Sequence, residues 1–143
     1  MKPPELGLLD TNTLILLDRL DESAPLPAVA LISTITLAEL GVGPHVTDDP
    51  VQKAERQLQV QNAEASFEPI PFDVEAARAF AQVAGALRTQ GRKTASRSFD
   101  AMIAAIAISR GLPLYTCNAA DFAGIDGLEV VAVPNPLDPV RPS

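Results

Sequence analysis

Acids set in apolar company are where chemistry would sit in this sequence. Asp100 lies in FDAMIAAIA, ahead of a run from Ala101 to Ile108 that contains no charge. A helix apolar on nearly every side is buried. A carboxylate in its first turn then needs the helix dipole, a hydrogen-bond donor or a metal ion. Asp10 closes the short apolar strand Leu6 to Leu9 and so occupies a strand's carboxyl end, where open parallel sheets place their ligands. A helix N-cap explains Asp10 equally well. Glu39 is the one charge between Glu22 and Asp48. Buried unpaired it would cost on the order of several kcal/mol, whereas on a solvent-facing side of its helix it needs no partner. Another acid, Asp121, comes just after the apolar strand around Leu112, Leu114 and Tyr115, in a cluster with Thr116 and Asn118.

Whether these acids meet depends on the elements that carry them. After Asp10, Thr11, Asn12 and Thr13 lead into a helical stretch, Leu14 to Leu20, with Asp18 and Arg19 in solvent. Pro25 and Pro27 mark a loop before a second strand, Val29 to Ile32. Thr34 or Thr36 can cap the helix that carries Glu39 and stops near Gly41 or Gly43. Asp49-Pro50 opens an amphipathic helix from Val51 to about Ala65. A proline-interrupted segment, Phe67 to Phe72, leads to a helix starting near Asp73. There Val74, Ala77, Phe80, Ala81, Ala84 and Leu87 predict a core-facing stripe. Gly111 and Pro113 end the Asp100 helix, and Val130 to Val133 reads as a last strand. Pro134, Pro136, Pro139 and Pro142 make the remainder an extended tail. One domain over residues 1–133 and a tail over 134–143 are expected.

This alternation predicts an α/β fold with a mostly parallel central sheet. Right-handed crossovers put the strand ends that follow Leu9 and Tyr115 on one edge. Asp10, Asp100, Glu39 and the Thr116–Asp121 turn would converge there with no basic partner among them. A hard divalent cation such as Mg²⁺ or Mn²⁺ relieves that repulsion with oxygen ligands. Such a site can activate water and brace a phosphodiester displacement.

Bulk properties narrow the field. The chain has 143 residues, 47% of them hydrophobic, and a net charge of −7, which fits a single folded domain and disfavours nucleic-acid binding by overall charge. Its one concentrated basic segment is RTQGRKTASR, with Arg88, Arg92, Lys93 and Arg97; ordinarily a solvated loop, here it runs into Asp100 and could touch phosphate. The single cysteine, Cys117, excludes an internal disulfide and a cysteine-based zinc site. The N-terminus meets Asp10 too early for a signal peptide and no run is long enough to span a membrane, so a cytoplasmic protein is expected. His45, the only histidine, sits in a loop-like connection. There is no G-x-S-x-G, no Walker loop and no G-x-G-x-x-G. A phosphoacceptor receiver would need paired acids early and a lysine after the last strand, but only Glu5 precedes Asp10 and no lysine follows Lys93.

Four segments in order, LLDTN (Leu8 to Asn12), TLAELGVG (Thr36 to Gly43), FDAMIAAIA (Phe99 to Ala107) and LYTCNAADF (Leu114 to Phe122), resemble those of PIN-domain ribonucleases, and more narrowly VapC toxins of bacterial toxin–antitoxin pairs. The resemblance implies a three-layer α/β/α fold and metal-dependent hydrolysis of RNA. It makes Asp10 and Asp100 the main metal ligands, Glu39 a ligand or water-orienting base, and Thr116 an orienting partner, with Thr11 and Asn12 in support. It offers Asp121 as the fourth acid. The competing reading makes Asn118 the cap of a short helix, with Asp121 standing behind the ligands. The resemblance also implies a basic, VapB-like antitoxin that inserts a cationic side chain among the acids, and a homodimer. A PIN-like module that has lost catalysis and only binds a partner is the alternative.

Overall fold

The computed structural model describes residues 5–92 and 97–137. Four strands, β1 (Leu6–Leu9), β2 (Val29–Leu31), β3 (Leu114–Thr116) and β4 (Val130–Ala132), form one sheet in the order β2-β1-β3-β4. All three pairings are parallel. The chain steps outward from β1 to β2 and returns on the other side of β1 as β3. That reversal makes the carboxyl ends of β1 and β3 the topological switch point of the sheet, the place where such sheets bind ligands.

Alternate residues of each strand face opposite layers. Leu8 and Leu114 point into a core with α4 (Val74–Thr89) and α5 (Ser98–Arg110). Leu9 and Tyr115 point into a second core, where Leu14, Leu40, Val60 and Ala63 come from α1 (Thr11–Leu16), α2 (Thr34–Val42) and α3 (Pro50–Ser66). The architecture is therefore three-layered, with α5 buried as its apolar run requires: Ala101 and Ile103 to Ala107 are at most 1% exposed. Gly111, at φ 64°, ends α5 in the left-handed conformation, which a side chain would strain. Gly7 is required for a different reason: a Cβ there would lie 2.4 Å from the Tyr115 ring. Tyr115, whose hydroxyl donates to Glu5, is pushed up to about 12 by burial and by that carboxylate. Among the described residues no helix is long and apolar enough to cross a membrane.

Several local expectations shift. The first helix begins at Thr11, under the Asp10 cap, and tightens into a 3-10 turn over Leu17–Arg19. The α2 cap is Ser33, whose hydroxyl accepts from Thr36 N, rather than Thr34 or Thr36. The Thr34 hydroxyl instead accepts from Phe72 N. The Phe67–Phe72 segment does more than connect: Ile70 bridges to Ser33 in parallel beside β2. In α4 the buried stripe is Ala76, Val83 and Leu87, with Ala79 and Phe80 beside it, while Val74 is 65% exposed and Ala77 and Ala81 face solvent. Alanines tolerate either side of a helix, so packing against α5 selected the stripe. Asp49 and Asp73 cap α3 and α4, accepting from Val51 N and Ala76 N. Residues 138–143, most of the proline-rich tail, lie outside the described residues.

Candidate active site

Asp10 leaves β1 in extended backbone conformation and caps α1, its Oδ1 accepting from Thr13 N at 3.1 Å. The other oxygen, Oδ2, accepts from Thr116 Oγ1 at 2.7 Å. Thr116 ends β3, the strand next to β1, so sheet register alone brings the two together. Both residues are buried, Asp10 at 3% exposure and Thr116 at 0%. Thr116 Oγ1 also accepts from Asn118 N, and Thr13 Oγ1 accepts from Cys117 N. These bonds tie the chain after β3 to the start of α1. Cap and site were alternatives for Asp10 in the sequence; the geometry makes it a cap whose second oxygen reaches across to the end of β3.

Glu39 reaches the same place from the middle of α2. Its Oε1 accepts from Thr11 Oγ1 at 2.6 Å, and Thr11 Oγ1 lies 3.0 Å from Thr36 Oγ1. Burial raises the Glu39 pKa, the Thr11 hydrogen bond opposes that, and the Asp10 charge adds to it. Glu39 is thus half-buried beside another acid rather than facing solvent.

Asp100, in the first turn of α5, is raised to about 6. Burial is the largest cause, followed by the charges of Asp10, Asp121 and Glu39, with Arg97 acting in the opposite direction. Acids from four separate parts of the chain therefore share one field. Asn12 is exposed on the first turn of α1.

The segment after β3 is built differently. Residues Ala119–Phe122 form a 3-10 turn, and Asn118 takes its N-cap position without a side-chain capping bond. Asp121 Oδ1 pairs with Arg97 Nη1 at 2.9 Å. Arg92 donates to the backbone carbonyls of Asp121 and Ala120 at 3.0 and 3.1 Å, and Gln90 Nε2 donates to Gly124 O at 2.8 Å. The expectation that the acids converge without basic partners is corrected here, since Arg97 lies among them. Of the basic segment, Arg92 and Arg97 clamp this turn, Arg88 is exposed at the end of α4, and Lys93 lies outside the described residues. The clamp was missed because its donors and acceptors are about thirty residues apart.

Carboxylate oxygens are the donor set that Mg²⁺ or Mn²⁺ takes, and the negative field on Asp100 calls for a cation. The residues fit such an ion by chemistry. Among the described residues, no three acid, histidine or cysteine side chains already stand as a cage around one point; Asp10, Glu39 and Asp121 are each held by donors of the protein instead.

A family model described as PIN domain matches residues 8–128. Ribonuclease VapC5 of Mycobacterium tuberculosis is 36% identical over 133 residues, covering 91% of this chain and 95% of its own. The chain belongs to the VapC family of PIN-domain proteins. Ribonuclease VapC1 of Rickettsia felis is 30% identical over 129 residues, covering 88% of this chain and 95% of its own. The crystal structure of VapBC-5, a toxin–antitoxin member from Mycobacterium tuberculosis, superposes with a TM-score of 0.77 at 34% identity, over 91% of this chain and all of that one. A DNA-bound VapBC structure from Salmonella typhimurium reaches a TM-score of 0.69 at 26% identity, over 91% and 98%. In this PIN domain the matched region contains all four acids, Asp10, Glu39, Asp100 and Asp121.

Proposed function

We propose that this PIN domain is a Mg²⁺-dependent endoribonuclease, the toxin of a toxin–antitoxin pair, acting in the cytoplasm. The observation that carries the reading is the state of Asp100: a carboxylate at the head of a buried helix, raised to about 6 by burial and by acids from three other elements. Such a concentration of acids, only partly offset by Arg97, is unfavourable for folding alone and useful for binding a hard cation. Its relatives named as VapC ribonucleases supply the reaction class.

Asp10 and Asp100 would hold the ion, with Asp121 as the fourth acid and Asn118 beside it. A bound Mg²⁺ or Mn²⁺ would supply positive charge at the scissile phosphate and make water acidic enough to attack near neutral pH. Thr116 and the Thr13 N–H fix the orientation of the Asp10 carboxylate, and Thr11 holds Oε1 of Glu39. Glu39, with its raised proton affinity, would orient the attacking water and accept its proton at Oε1 or Oε2. Exposed Arg88, with Lys93, would meet RNA phosphates; Arg92 is committed to the 3-10 turn.

A basic, VapB-like antitoxin suits the acid cluster and the net charge of −7, and the structural neighbours described as VapBC complexes support that partner. A homodimer is part of the same reading. Purified protein should cleave mixed single-stranded RNA with Mg²⁺ and stop in chelator, and Asp10→Ala or Asp100→Ala should abolish cleavage. Full cleavage by both variants would remove the assignment. RNA or protein binding with no cleavage under any divalent ion would leave the binding-only module.

A further inference from the structure

We propose that Arg97 is a built-in counter-ion of the acid cluster, holding the Asp121 carboxylate and competing for it with the divalent cation. The proposal rests on the metal-dependent reading above and adds a residue that opposes the ion's entry. The Arg97–Asp121 contact is 2.9 Å, yet the two side chains are 35% and 39% exposed. It is therefore a contact that solvent and ions can exchange, unlike a locked buried pair.

The backbone of Asp121 is held separately. Arg92 donates to the carbonyls of Asp121 and Ala120, and Asp121 N donates to Asn118 O at 3.0 Å. Releasing the carboxylate does not require the 3-10 turn to move. One arginine positions the main chain, and the other occupies the side chain.

Arg97 also stands at the N-cap position of α5, three residues before Asp100. Its charge offsets part of the repulsion that Asp10, Asp121 and Glu39 exert there. An arriving divalent ion relieves the same repulsion with twice the charge. To take Oδ1 of Asp121 it must displace the guanidinium from that oxygen.

Calorimetric titration of Mn²⁺ into the purified protein, without RNA, reads this independently of activity. Arg97→Gln should bind Mn²⁺ about threefold tighter than wild type, the scale expected for exchange of a partly exposed ion pair. Arg97→Lys, which keeps the charge, should stay within about twofold of wild type. General loss of a positive charge would also tighten binding, so the decisive comparison is made with Asp121→Asn in place. There, Arg97→Gln should tighten binding clearly less than it does alone, only the general charge effect remaining. Should Arg97→Gln fail to fold, Arg97→Met, which keeps the apolar stem, replaces it in both backgrounds. Tightening that persists undiminished with Asp121→Asn, or no tightening in the single variant, overturns the competition while leaving the metal reading intact. Failure of wild type and every variant to bind Mn²⁺ overturns both.

Discussion

Asp10 and Asp121 follow the two inner strands of one sheet, but the protein handles their charges in opposite ways. Asp10 is buried and held by neutral donors, a backbone N–H and the Thr116 hydroxyl. Asp121 sits on a short turn in partial contact with solvent, paired with a full positive charge. Neutral donors orient a carboxylate without cancelling its charge, so the Asp10 side stays attractive to a cation. An arginine cancels the charge until something displaces it. The first side is built in advance; the second is adjustable.

The sharpest way to break this contrast is at the donor that serves the rigid side. Thr116→Val keeps the shape but leaves Asp10 Oδ2 and Asn118 N without their partner. A loss of about 2–3 kcal/mol is expected for hydrogen bonds to a buried charged group. Urea denaturation would measure it. A loss well under 1 kcal/mol would mean that Asp10 is not fixed by its neighbours.

Asp100 lies between the two sides and tests whether their charges reach each other. Its folded pKa is about 6, raised above the usual carboxylate value, so ionising it penalises the fold. That penalty is fully present above the folded pKa and fades as pH falls from there toward the unfolded value of about 4. In chelator at about pH 7.5, Asp100→Asn should be more stable than wild type by about 1–2 kcal/mol after allowance for solvent screening. The gap should shrink steadily through pH 6 and nearly close at about pH 4. Added Mg²⁺ should stabilise wild type more than the variant, because a ligand stabilises only what binds it. Thermal melts at several pH values check both statements. An Asn variant less stable than wild type at all pH values would make Asp100 an ordinary N-terminal helix acid.

The smallest effect separates two arginines within one basic segment. Arg88→Ala should leave stability within about 0.5 kcal/mol while reducing the salt slope of RNA binding by about one unit if it touches a phosphate. Arg92→Ala should do the reverse, costing about 1 kcal/mol through lost backbone hydrogen bonds with little change in slope. Equal behaviour of the two would erase the distinction between clamp and phosphate contact.

Local chemistry made much of this protein legible in its sequence. The unbroken apolar run after Asp100 demands burial wherever it sits, and Gly111 must end it because few residues accept the left-handed backbone. Asp49 and Asp73 announce helix starts through bonds only a few residues long. The alternation of strands and helices, with right-handed crossovers, put Asp10 and the Thr116–Asp121 turn on one sheet edge. Tertiary structure decided whatever depended on a partner distant in sequence. Ser33, Thr34 and Thr36 have similar hydroxyls, and which one caps α2 depended on where Phe72 came to lie. The alanines of α4 fit either side, and only the surface of α5 distinguished them. Above all, a basic segment in a sequence says nothing about which arginine will find an acceptor. Arg92 and Arg97 were assigned to the turn after β3 by the fold, because a flexible charged side chain takes its role from whatever packing brings within its reach.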